Sequence, residues 1–430
     1  MKKPYQWDNF SDQPYQLKDK KYKKQIRKKE FFSLLKTFFI ALFILPFSLI
    51  LMPFRKRKHV NSNTFFCIGV DYEREPALTL ELLEELEVER ILIRFKLWEM
   101  EKLPLLQEFI YECARAKRQM PFGCKNKKIT LKIMQDREHV EDLELLQKDL
   151  RTIFTELGGL IEMYEIGSTI NRSKWGFFSV DEYNRFYKTA YDLKVAEFPV
   201  VKLIGSGVID FEYHFTAHTL FNFFKYRYDG VSALLYVDRR GAPENTQMGF
   251  DLSAKIALLS SMVWLSPKST NELYITETNW PISNTAPYAP TSEHECVDEE
   301  NYANFMLRYY LLAFASGHVN SLSWHQLIAA GYGLIDNRDG IRKRKAYFTF
   351  KYMVQTLKNA QFLALDIKKE YYIFQCFADN QLLQIHWSLH PATIDNEEFF
   401  EVYSKDGERV EDKTLNIGSS PLYIYIKDAV

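Results

Sequence analysis

The chain has 430 residues, 47% of them hydrophobic and 15% aromatic, with 56 basic and 56 acidic side chains. That length and apolar content provide for one large domain and a smaller one around a filled core, and the even charge balance gives no sign of a nucleic-acid partner. The cysteines, Cys67, Cys113, Cys124, Cys296 and Cys376, are scattered without Cys-x-x-Cys spacing, which excludes the common zinc patterns and gives no sign of a disulfide framework.

Charge is uneven along the chain. Residues 1–30 form a polar, strongly basic segment that ends in Lys20-Lys21-Tyr22-Lys23-Lys24-Gln25-Ile26-Arg27-Lys28-Lys29. Residues 31–54 are apolar apart from Ser33, Lys36, Thr37 and Ser48, and they supply the ~20 residues that cross a bilayer. The run is too long for a cleavable signal peptide and no small-residue cleavage site follows it, so it reads as a transmembrane anchor. Basic residues flank both ends, the longer cluster before the run and Arg55-Lys56-Arg57-Lys58 after it. The positive-inside rule then predicts a single-pass protein of the inner (cytoplasmic) membrane, its N-terminus in the cytoplasm and its bulk on the extracytoplasmic side. Pro46 leaves a rival open, a kinked re-entrant or interfacial helix with both flanks on anionic lipid.

After a linker over residues 55–63, short β-rich runs alternate with helical segments, the pattern of βα units on a parallel sheet. Strands are predicted over 64–70, 90–95, 129–134, 163–166, 200–204, 233–237, 273–276 and 319–324. Helices with three-to-four apolar spacing are predicted over 78–86, 109–116, 143–157, 180–195, 253–264 and 300–315, with a fifth, less regular one between His214 and Tyr226. Asp298 and Ser253 suit helix starts, and Gly317 a helix stop. Eight strands alternating with helices make residues 64–360 a (β/α)8 TIM barrel. From residue 361 to 430 the helical period gives way to alternating strands with turn pairs at Asp379-Asn380 and Asp406-Gly407, which predicts a C-terminal antiparallel β-sandwich domain.

Such barrels do chemistry at the C-terminal ends of their strands. The run Tyr274-Ile275-Thr276-Glu277-Thr278-Asn279-Trp280-Pro281 is a strand that delivers Glu277 to that face, with an indole close behind. Arg94 stands near the end of strand two, Tyr236 at the end of strand six and Trp324 at the end of strand eight. Together these resemble the clan A retaining glycoside hydrolases, and the resemblance extends over residues 64 to 430. It implies a nucleophilic Glu277, Arg94 and Tyr236 as its supporting residues, and Trp324 as a platform beneath the sugar. Trp280, Asn171, His325 and Gln326 join Trp324 as expected substrate-binding residues, with carbohydrate as the ligand and no metal or cofactor.

Strand four departs from the family. Members read Glu-x-Gly-Asn-Glu or similar there, the second Glu acting as acid and base. This chain reads Glu165-Ile166-Gly167-Ser168-Thr169. Thr169 stands at the acid/base position, and a neutral hydroxyl neither protonates a leaving oxygen nor activates water. Replacement carboxyls on neighbouring loops are Asp71, Glu99, Asp136, Asp210 and Glu244. A rim of Arg172, Lys174, Arg239 and Arg240 beside Trp175 suits an acidic glycan, or equally a set of salt-bridged loops. His214 and His218 stand four apart, but no third ligand of metal-site spacing accompanies them, so they read as ordinary helix or loop residues. The expected function is a membrane-anchored glycoside hydrolase-like protein acting on a cell-envelope polysaccharide or glycolipid through Glu277. The alternative is a catalytically impaired pseudoenzyme that binds glycans in envelope polysaccharide assembly.

Overall fold

A computed structural model describes residues 6–115, 127–238, 241–396 and 400–426, so Cys124, Arg239 and Arg240 lie outside the described residues. The chain opens with a small hairpin pairing Trp7–Asp8 with Gln13–Pro14. Two helices follow, α1 over Lys20–Lys29 and α2 over Phe31–Leu51.

Eight parallel strands then close a barrel: β1 Phe66–Val70, β2 Arg90–Lys96, β3 Lys128–Met134, β4 Met163–Ile166, β5 Leu203–Ile209, β6 Gly230–Leu234, β7 Leu273–Thr278 and β8 Ser321–Trp324. Closure is between β8 and β1, where Leu322 pairs with Phe66 and Trp324 with Ile68. The strands are short and largely buried because both their faces are covered. The covering helices are α3 Pro76–Glu85, α4 Leu103–Arg115, α5 Leu143–Leu157, α6 Val180–Glu197, α7 Tyr213–Leu220, α8 Leu252–Leu265, α9 Glu299–Ser316 and α10 Lys345–Leu357. Asp298 caps α9 by accepting from Asn301 N at 2.8 Å, and Gly317 ends it at φ 65°. Asp251 caps α8 by accepting from Ala254 N, which places Ser253 in the first turn of that helix.

Two strands lie away from their predicted positions. β5 starts at Leu203 and runs past the expected 200–204, with a bulge at Ser206–Val208 where Ser206 and Gly207 take positive φ. β6 ends at Leu234, so Tyr236 stands on the loop beyond it.

The C-terminal region is a six-stranded antiparallel sheet in the order Gln361–Lys368, Tyr371–Ala378, Gln381–Ser388, Leu422–Ile426, Phe400–Tyr403, Arg409–Val410, with Ala392–Asp395 and Thr414–Ile417 as a separate pair. Its inward residues Phe374, Cys376, Ile385 and Trp387 belong to the same hydrophobic core as the barrel helices. A polar joint reinforces the contact. Trp387 Nε1 donates to Glu244 Oε1 at 2.9 Å, Arg308 pairs with Glu244 at 3.0 Å, and Arg308 also donates to the Ser419 carbonyl at 3.0 Å.

The apolar helix α2 with the turn that follows it, Phe31–Phe54, is long and apolar enough to cross a membrane. It lies along the barrel wall against α6, α7 and α8. Its hydroxyl residues face inward: Ser33, Thr37 and Ser48 are buried, while Lys36, Phe32, Phe39, Leu42, Phe43 and Phe47 are exposed.

Candidate active site

The barrel interior carries a charged layer that the apolar strand pattern does not announce. Pairing puts Arg94 of β2 beside Lys132 of β3, and Lys132 beside Glu165 of β4. Lys132 and Glu165 are fully buried, 3.4 Å apart, and Thr276 Oγ1 donates to the other oxygen of Glu165 at 2.8 Å. Two charges that deep persist only when paired.

Lys132 reaches upward as well, to Glu277 Oε2 at 3.2 Å, and Tyr236 OH donates to Glu277 Oε1 at 2.8 Å. Glu277 keeps 12% of its side chain exposed. Burial pushes its pKa up, but Lys132, His325, Arg94 and the Tyr236 hydroxyl outweigh burial and hold it at about 2. The neighbouring Glu165 is raised, because burial dominates there over Lys132. Glu277 is thus an ionised, oriented carboxylate at the end of β7, the state a glycosyl-accepting nucleophile requires. Lys132 is a candidate-site residue that sequence reading missed. Its signal was a lone lysine in the middle of Lys-Ile-Thr-Leu-Lys-Ile-Met, a strand otherwise covered on both sides.

Arg94 meets its partner from an unexpected direction. Its guanidinium donates to Asp12, on the N-terminal hairpin, and Tyr332 OH donates to the same carboxylate at 3.3 Å. Burial opposes the charge of Asp12, yet Arg94 and Lys96 keep its carboxyl well below the usual range. The hairpin spreads across the mouth. Trp7 packs on Trp98 and Trp175 with Lys96 over its ring, Phe10 packs on Tyr288, and the Gln13 side chain donates to the Pro290 carbonyl at 3.1 Å and accepts from Lys174 at 2.6 Å. A cavity of about 330 Å³ remains beside Asp12 and Arg94, bordered by Asp71, Lys96 and Glu99.

Several predicted sugar contacts lie elsewhere. Trp324 and Trp280 are fully buried and stacked on one another at 5.7 Å, with Trp324 Nε1 donating to Tyr302 OH at 2.7 Å. Both rings fill the layer between strands and helices, so neither is a platform open to a sugar. The cause is side-chain alternation: Trp324 points outward from β8, and the next residue points in. That residue, His325, sits over Tyr332 with ring centroids 5.2 Å apart; burial and the nearby Arg94 lower its pKa to about 3, which leaves it neutral. Gln326 is buried, its amide donating to the Ile328 carbonyl at 3.0 Å. Asn171 is occupied in joining two loops, donating to the Ile209 carbonyl and to Glu212 and accepting from Ile209 N.

At the end of β4, Ser168 is clamped by Gln135, which accepts from Ser168 N at 2.9 Å and donates to its carbonyl at 2.8 Å. Thr169 follows, buried, at φ 52°. Of the replacement carboxyls, Asp136 caps a short helix and binds His139 at 2.7 Å, Glu244 joins the barrel to the sheet, and Asp210 pairs with Arg172 at 2.7 Å. Asp71 and Glu99 border the cavity next to Arg94; Glu99 pairs with Lys102 at 3.1 Å, whereas Asp71 has its pKa raised by burial. Of the cationic rim, Arg172 is neutralised by pairing with both Asp210 and Glu212. His218 and His214 belong to the wall that receives α2: His218 shares a 2.8 Å hydrogen bond with Thr37, and His214 stacks on Phe38.

No family model and no curated protein matches the chain. Solved structures do. A family 39 glycoside hydrolase from the gut symbiont Bacteroides cellulosilyticus WH2 superposes with a TM-score of 0.64 at 12% identity, over 86% of this chain and 82% of that one. A family 39 β-xylosidase from Caulobacter crescentus gives 0.55 at 13% identity, over 87% and 98%. A family 51 arabinofuranosidase from Xanthomonas axonopodis pv. citri gives 0.54 at 13%, over 86% and 98%. At these identities the likeness is one of architecture. The chain has the fold of the clan A glycoside hydrolases, a closed eight-stranded barrel with a C-terminal antiparallel sheet.

Proposed function

We propose that this protein is a glycoside hydrolase-like enzyme that forms a covalent glycosyl intermediate on Glu277 and acts on a cell-envelope polysaccharide or glycolipid. The observation that carries the reading is the support given to one carboxylate: Lys132 at 3.2 Å and Tyr236 at 2.8 Å, on different oxygens. A pure binder has no need to hold a carboxylate ionised and aimed at the strand-end face. In the proposed step Glu277 attacks the anomeric carbon, the bond to the leaving oxygen breaks with its electron pair, and water later releases the sugar from the ester. Proton transfer normally contributes about 10² to 10⁴ in rate, so ordinary glycosides react slowly here unless Asp71 or the substrate supplies the proton. Substrates with good leaving groups escape that limit.

A second reading is favoured by the neutral end of β4, where Ser168 and Thr169 replace the family's Asn-Glu pair. In it the cleft recognises a glycan without cleaving it. Intact-mass spectrometry after incubation with a panel of activated 2-fluoro glycosides separates the two, because forming the adduct needs the nucleophile and no acid. A stable adduct that is lost in Glu277→Gln supports the enzyme. An unmodified mass across the panel, with the protein folded and its cleft open, overturns it in favour of the binder.

A further inference from the structure

We infer that α2 is an in-plane membrane-docking helix, and that the hairpin and the barrel on either side of it share one face of an anionic bilayer. The inference rests on how the helix is held and on which side of it is bare.

At its mouth end α2 is tied to the start of α6. Ser33 Oγ accepts from Asp181 N at 3.1 Å, Lys36 pairs with Asp181 at 3.0 Å, and Glu30 binds Ser179 at 2.6 Å and Arg185 at 3.1 Å. Midway, Thr37 bonds His218. Beyond the far end, Arg55 lies over the Trp264 ring near the close of α8, and Lys58 N donates to the Gly317 carbonyl at 2.9 Å, just before β8. The helix therefore runs the height of the barrel wall, roughly 31 Å at 1.5 Å per residue. That height equals the hydrocarbon thickness of a bilayer. If α2 crossed while so attached, α6 with Arg185, Lys188 and Asp192 would enter the hydrocarbon beside it, where even the lowest scales put the cost of a charge at about 2.5–3.5 kcal/mol. The hairpin adds a second constraint. Asp12 precedes α2 and binds Arg94 inside the mouth of the barrel that follows α2, so both chain segments stand on the same side.

The free face of α2 is inverted relative to a water-facing helix. Phe39, Phe43 and Phe47 are 64%, 72% and 58% exposed, and Phe32, Leu42, Ile50 and Phe54 extend the same stripe. A contiguous apolar surface of this kind needs a cover. Its charge identifies the cover: seven of the ten residues of α1 are Lys or Arg, and Arg55-Lys56-Arg57-Lys58 flanks the other end. Basic clusters on both sides of an exposed apolar helix fit an anionic lipid surface, with the Phe rings sunk to the acyl boundary. Since α2 parallels the barrel axis, the mouth then opens sideways along the membrane, toward glycans borne at that surface.

Two measurements on the full chain test this. Flotation is compared on vesicles of phosphatidylglycerol with phosphatidylethanolamine, using the Phe39→Ser, Phe43→Ser, Phe47→Ser triple variant. We expect binding weaker by at least about a hundredfold, as loss of three buried rings implies; unchanged flotation overturns the docking face. Topology is read with single cysteines at Lys18 and Glu370, each in a Cys124→Ser, Cys296→Ser background, labelled by an impermeant maleimide in intact cells and in inside-out vesicles. Both sites reacting from one side only is the expected result. Reaction from opposite sides establishes a crossing helix and overturns the inference.

Discussion

The ends of β7 and β4 face one another across the barrel interior, and they have been built to different specifications. Glu277 on β7 receives an ammonium and a phenol on its two oxygens and a guanidinium nearby, so it stays charged. On β4 the position that resembles the family's acid/base carries Thr169, and the clamp around it is a neutral amide on a main chain. On the proposed reading this is a nucleophile kept without its proton donor, a site suited to activated substrates, and the contrast can be broken from either end.

The largest effect comes from supplying the missing group. Thr169→Glu should raise turnover of unactivated glycosides by about 10² to 10⁴, the usual contribution of general acid/base catalysis. The backbone tolerates the change, because a β-branched threonine at φ 52° is already worse suited to that conformation than a glutamate. If the variant folds and still forms the 2-fluoro adduct but gains nothing, the end of β4 does not address the leaving oxygen.

Lys132→Met works on the other end. It leaves Glu165 and Glu277 without their shared partner, and breaking a buried pair costs about 3–5 kcal/mol, readable as a lower midpoint in urea. Its signature beyond stability is electrostatic. In the native protein Glu277 is held at about 2, so adduct formation should stay level with falling pH until that region or until the protein unfolds. Without Lys132 the carboxyl protonates at higher pH and the acid limb moves upward. A purely structural lysine would lower the urea midpoint and leave the limb in place.

What the sequence disclosed about these two ends follows from locality. The strand that carries Glu277, the departure at Thr169 and the C-terminal strands are written in contiguous residues whose period and turn chemistry are visible. Trp324 misled because the end of a strand says nothing about which way a side chain points, and alternation buried it while turning His325 inward. Lys132 lies 145 positions from Glu277 and Asp12 lies 82 from Arg94; such pairings exist only after the barrel has closed. The polarity of α2 was legible as composition, but its inward-facing Ser33 and Thr37 acquire meaning only against Asp181 and His218.

A smaller effect tests access to the supported carboxylate. With Asp12 on Arg94 and Trp7 packed on Trp98 and Trp175, the hairpin lies over the mouth, and a ligand that has to displace it reacts only with the open fraction of molecules. Apparent reactivity falls with that open fraction. Asp12→Asn removes the charge that anchors the hairpin and should speed 2-fluoro labelling about tenfold, the equivalent of ~1.4 kcal/mol in the opening equilibrium. Unchanged labelling would mean that substrate enters without moving the hairpin.

The smallest effect concerns the neutral groups that surround the charged ones. Burial, together with nearby cations in two of the three cases, lowers the pKa of His325 to about 3 and those of His318 and His386 to about 4. In the unfolded chain each titrates near 6.5. Between the two values the unfolded state binds more protons than the folded one, so stability is full above about pH 6.5 and declines as pH falls. Glu277 loses its contribution only lower, as pH drops from the ordinary carboxylate range toward about 2. Chemical denaturation should therefore show two regimes, a first decline beginning near pH 6.5 and a steeper one below pH 4.5. His325→Gln should flatten the first and leave the second, because the glutamine keeps the neutral polar character of the ring and carries no proton to gain. A decline of unchanged slope in that variant would assign the first regime to His318 and His386, away from the cleft.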